Sequence, residues 1–69
     1  MEFKEKAKIR IGHWLKHTTD HLKEYKQFAD ELEDAGNTDS AKHIREMAVL
    51  TAKGTEYLAN ALLYLARTS

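Results

Sequence analysis

At 69 residues with no cysteine, the chain is one domain with a small core that no disulfide can brace, and thiolate metal sites and cysteine nucleophiles are excluded. Eleven Lys and Arg residues balance eleven Asp and Glu, so no net field draws the molecule to nucleic acid or anionic lipid. No apolar run is long enough to cross a bilayer and the charged first ten residues do not resemble a secretion signal, so a cytoplasmic protein with no membrane partner is expected.

The first ten residues interleave Lys4, Lys6, Lys8 and Arg10 with Glu2 and Glu5 around Phe3, Ala7 and Ile11. Helical spacing of the apolar residues makes this the start of helix 1, expected over about 3–35. The mixed charges, with no aromatic platform for bases, read as a solvated face. From Ile11 onward, Leu15, Thr18, Leu22, Tyr25, Ala29 and Leu32 step by four and three in strict alternation, the signature of a coiled-coil-like seam. A second row, Ala7, Trp14, His21, Phe28 and Ala35, runs beside it and widens the apolar face. Gly12 interrupts the pattern at a cost of about 1 kcal/mol relative to alanine, and marks either a bend or the close approach of a neighbour.

The segment Ala35-Gly36-Asn37-Thr38-Asp39-Ser40 collects a glycine for the helix C-terminus, a turn residue and a hydroxyl N-cap followed by an acid. A turn over 36–38 leaves so little chain that helix 2, about 39–67, must run back antiparallel to helix 1. Its seam is Ile44, Ala48, Thr51, Thr55, Leu58, Leu62 and Leu65. Two further rows follow, Met47, Gly54 and Ala61, then His43, Leu50, Tyr57 and Tyr64. One antiparallel partner cannot cover so wide an apolar arc. The expected fold is therefore an all-α antiparallel helical hairpin that forms a homodimer, a four-helix bundle whose interface includes Leu50, Gly54, Tyr57, Ala61 and Tyr64. Asp30, Glu31, Glu33, Asp34 and Asp39 crowd the loop end while basic residues crowd the termini, which favours a dimer with its loops at opposite ends.

Three of the four histidines, His13, His17 and His21, recur every four residues on helix 1, with Asp20 and Glu24 in the same quadrant. Two histidines four apart can ligate one divalent ion. Three cannot easily share it, because His13 and His21 are about 12 Å apart along the axis at 1.5 Å per residue. The candidate site is thus His17 and His21, assisted by His13, Asp20, Glu24 or a symmetry mate. Its ion is a divalent transition metal such as Zn, Ni, Co or Cu. His43 belongs to the margin of helix 2.

The run His13-Trp14-Leu15-Lys16-His17-Thr18-Thr19-Asp20-His21, followed by Tyr25, Phe28-Ala29 and Gly36, resembles an uncharacterised family of short helical-hairpin proteins from anaerobic bacteria and archaea. The pattern of that family is His-Trp-x-x-His-Asn-x-x-His, an aromatic four residues on, an aromatic-Ala pair and a glycine at the turn. The likeness continues loosely through Glu46-Met47-Ala48 and Glu56-Tyr57-Leu58, and Thr18 departs from it where the pattern has asparagine. The resemblance implies the hairpin, singles out the three histidines and suggests transition-metal handling, but implies no reaction.

No glutamate precedes a histidine by three, as di-iron bundles require, and the three glycines are too scattered to cradle a phosphate. The sequence points away from an enzyme and toward a small binding or accessory protein with metal affinity. The alternative is a structural or protein–protein interaction module without metal, its histidines acting at most as a pH-sensitive interface.

Overall fold

A computed structural model of the chain describes residues 2–67. It contains two helices, α1 (Phe3–Asp34) and α2 (Thr38–Arg67), and no strand among the described residues. The two pack side by side as an antiparallel hairpin, a rod of 53 × 17 × 11 Å. No described helix is long and apolar enough to cross a membrane.

The turn is built by local backbone chemistry. Gly36 adopts φ +87°, a left-handed conformation that costs other residues about 1–2 kcal/mol. With Gly36 so placed, the amide of Asn37 donates to the carbonyl of Leu32 at 2.8 Å and that of Gly36 to Glu33 at 2.9 Å. This pair of bonds is the Schellman pattern, which satisfies carbonyls that the end of α1 would otherwise leave open. The carbonyl of Asn37 already accepts the first bond of α2, from the Ala41 amide at 3.0 Å. Thr38 therefore lies inside the helix, one residue earlier than the hydroxyl-cap reading places it.

Every seam residue expected from the sequence is buried or half-buried, on both helices. Alanines hold the innermost positions: Ala29 and Ala41 have no exposed surface and Ala48 has 2%. Ala41 extends the α2 seam by one step beyond Ile44. Thr51 and Thr55 sit within this apolar stripe because their hydroxyls donate back into their own helix, to the carbonyls of Met47 at 2.9 Å and Ala52 at 2.6 Å. Neither of these two hydroxyls is thereby left unpaired against the partner helix.

At the loop end Arg45 crosses between the helices and donates to Glu33 at 3.0 Å and Asp30 at 2.9 Å. The hydrogen bonds it donates to Glu33 first, then Asp30, raise the guanidinium pKa above its ordinary value. The acidic end is thus partly neutralised from within the chain, leaving Glu31, Asp34 and Asp39 outside this clamp.

Two substitutions test the packing. Replacing Ala48 with leucine should lower stability by about 1–3 kcal/mol through overpacking, read as an earlier urea midpoint; an unchanged midpoint would mean that the helices are not held together there. Gly36→Ala should cost about 1–2 kcal/mol without altering helix content by circular dichroism.

Candidate functional site

With a smallest dimension of 11 Å, the hairpin is one helix thick, so residues flanking the seam lie on one broad face or the other. Arg45 directly follows the seam residue Ile44, and its partners Asp30 and Glu33 directly follow Ala29 and Leu32. Residues that follow a seam position therefore share one face. Here a groove is lined by Lys26, Asp30, Arg45, Val49, Ala52, Lys53 and Glu56, charged groups around a short apolar floor.

Residues that precede a seam position share the opposite face. On α1 these include Arg10, Trp14, His17, His21, Glu24 and Phe28; on α2 they include His43, Met47, Leu50, Gly54, Tyr57, Ala61 and Tyr64. The two apolar rows of α2 and the second row of α1 thus join into one surface. Its large side chains are bare: Trp14 is 51% exposed, Phe28 52%, Leu50 70%, Tyr57 76% and Tyr64 64%. All five residues expected at the interface, Leu50, Gly54, Tyr57, Ala61 and Tyr64, lie here and are exposed in the single chain. The guanidinium of Arg67 stands 5.8 Å from the centre of the Tyr64 ring, a cation–π contact at the margin.

His17 and His21 occupy the α1 side of this face. His17 and His21 turn their Nε2 atoms toward one another at 2.8 Å, with ring planes 79° apart. That distance is a nitrogen–nitrogen hydrogen bond, in which one ring donates and the other accepts. Glu24 sets the direction. Its carboxylate accepts from His21 Nδ1 at 3.2 Å, and an ionised carboxylate only accepts, so in the neutral ring the proton sits on Nδ1 and the Nε2 lone pair is free. His17 Nε2–H then donates to it.

Two ring nitrogens four residues apart and 2.8 Å from one another could serve as two ligands of a divalent ion. Bound to a tetrahedral ion at about 2.0–2.1 Å they would stand about 3.3 Å apart, so admitting the ion takes a small ring rotation and a shift of the His17 proton from Nε2 to Nδ1. A carboxylate on the far nitrogen of a ligating histidine is the usual device for fixing its tautomer.

The remaining expected ligands are placed otherwise. His13 stacks on His17 with ring centres 6.0 Å apart, and Tyr25 stacks on His21 at 5.9 Å, so a four-ring column runs His13, His17, His21, Tyr25. Glu24 orients His21 from the side away from its Nε2. Asp20 accepts from Lys16 Nζ at 3.1 Å, and that hydrogen bond, then the ammonium charge, holds its carboxyl below the ordinary carboxylate range. Glu56, opposite His17 along the rod, lines the other face, and His43 lies 4.0 Å from Glu46. Among the described residues no three His, Cys, Asp or Glu side chains of one chain converge on an ion. Gly12 and Gly54 are both in open space: a Cβ at either would meet nothing within 4 Å, so Gly12 has no close neighbour in the chain and α1 runs through it unbroken.

Lys16→Ala should raise the Asp20 carboxyl toward its ordinary value, followed by carbon-13 NMR titration. The ion pair contributes above the ordinary carboxylate pKa and is lost as pH falls through the lowered one. Because both groups are exposed, global stability should not change measurably.

A family model described as a domain of unknown function (DUF8180) matches residues 7–65, and the chain belongs to that family. The match spans both helices and the run from His13 to His21. No curated protein and no solved structure matches the chain.

Proposed function

We propose that the protein is a small non-enzymatic binding protein of the cytoplasm that dimerises into a four-helix bundle and takes up a divalent transition metal through His17 and His21. The observation that carries this reading is the convergence of the two Nε2 atoms at 2.8 Å, with Glu24 holding the outer nitrogen of His21. Neutral imidazoles suit zinc, copper, nickel and cobalt, and the absence of thiolates and of a convergent carboxylate disfavours the softest and hardest ions. His13 contributes by stacking behind His17, and Asp20 stays with Lys16. The His-Trp-x-x-His-x-x-x-His run is read as the working feature of this family of short hairpins, in anaerobic bacteria and archaea alike.

The exposed apolar surface supports dimerisation. The face carrying Trp14, Phe28, Leu50, Tyr57 and Tyr64 leaves each of these large side chains at least half exposed, and a second copy would cover them. That same face favours the second reading, an interaction module in which the histidines are incidental.

Metal titration separates the two. Uptake of zinc or cobalt should be abolished by His17→Ala and by His21→Ala, retained in His13→Ala, and weakened roughly 10–100-fold by Glu24→Gln, the loss typical of an outer-sphere partner. Weak uptake indifferent to all four changes would leave the interaction module standing alone.

A further inference from the structure

Resting on that reading, we infer that the metal site is shared: two copies pack histidine face to histidine face with their loops at opposite ends, and His17 and His21 of both enclose one divalent ion on the two-fold axis.

Each chain supplies half of a site. Two imidazole nitrogens converge, no third donor of the described residues joins them, and a closed tetrahedral site needs four. The half-site lies where a second copy would complete it. Helix α1 runs from Phe3 to Asp34, so its midpoint falls between Thr18 and Thr19, inside the His17–His21 pair. A two-fold axis crossing the rod at mid-length lays α1 on the α1 of the second copy, antiparallel. The pair then meets its own image, His17 beside His21.

The register agrees with the rest of the row. Pairing His17 with His21 of the second copy brings Trp14 against Glu24, Arg10 against Phe28 and Ala7 against Glu31. Every residue of the two flanking rows of α1 meets a residue of the complementary row, as antiparallel seams require. Glu31, outside the Arg45 clamp, comes near Lys6 and Arg10 of the second copy.

Gly54 gives an independent reason. It sits near the middle of α2 on the same face, costs about 1 kcal/mol in a helix interior, and has nothing in its own chain within 4 Å of a Cβ position. On the proposed axis it faces the α2 of the second copy, where a missing side chain lets two backbones approach.

Area is sufficient. The face measures 53 × 17 Å, and its plan area exceeds the roughly 800 Å² per partner that stable interfaces bury. A hetero-partner would explain the grease, but neither the glycine nor the histidine pair falling at mid-length.

Native mass spectrometry with cobalt should find one ion per two chains, with the intense visible absorption of tetrahedral cobalt. Zinc should tighten the dimer at least tenfold by sedimentation, an effect absent from His17→Ala and His21→Ala. Because the chain has no cysteine, Asn37→Cys accepts a single spin label at the loop. Labels in the dimer should lie at a distance approaching the 53 Å length of the rod; a separation of about 20 Å, two helix diameters, would mean that the loops meet and would overturn the inference. One ion per chain would overturn it too, while leaving metal binding by His17 and His21 intact. No uptake at all by the wild type would overturn both.

Discussion

The structure depends on one constraint: each helix carries a stripe of apolar residues stepping by three and four, and two such stripes, joined by a tight turn, can be hidden only against each other. The contact is narrow. Alanines fill its innermost positions, no large described side chain is fully buried, and the resulting body is a single helix thick. A hairpin of this shape has no interior beyond the seam, so every other apolar residue remains on a surface. The chemistry of the protein is therefore the chemistry of its two broad faces.

Those faces differ in kind. One is charged, with Arg45 tying the helices together through Asp30 and Glu33 around a shallow groove. The other joins two aromatic and aliphatic rows from α2 to a row on α1 that holds Trp14 and Phe28. At its centre are the only ring nitrogens in the described residues that point at one another. A polar pair in the middle of an apolar surface is costly to cover unless it is satisfied, and a metal ion or a hydrogen bond between the rings satisfies it. Covering the face thus couples association to whatever the histidines hold.

Glu24 shows how little protein is needed to orient a histidine. One turn of helix brings its carboxylate to the outer nitrogen of His21, which leaves the inner nitrogen unprotonated in the neutral ring. Asp20, equally close in sequence, is drawn off by Lys16 because a lysine four residues earlier offers a full charge at 3.1 Å. Two carboxylates in one quadrant of one helix have different tasks because different cations and rings lie within a turn of them.

The sequence by itself determined the two helices, their seams and the turn, because each is a local property: a period of 3.6, and a glycine that tolerates positive φ. It also determined that His17 and His21 could meet, since a spacing of four is a neighbour relation on any helix. What it could not determine was which flanking rows share a face. A helical wheel describes one helix, and only the antiparallel pairing decides that residues preceding the seam on α1 and on α2 fall on the same side. Arg45 was likewise invisible, its partners being 12 and 15 residues away. So were the separate fates of Asp20 and Glu24, which depend on side-chain rotamers. Tertiary structure joined three apolar rows and a histidine pair into one surface, because two rods in contact have two sides, and the turn fixes which side each row takes.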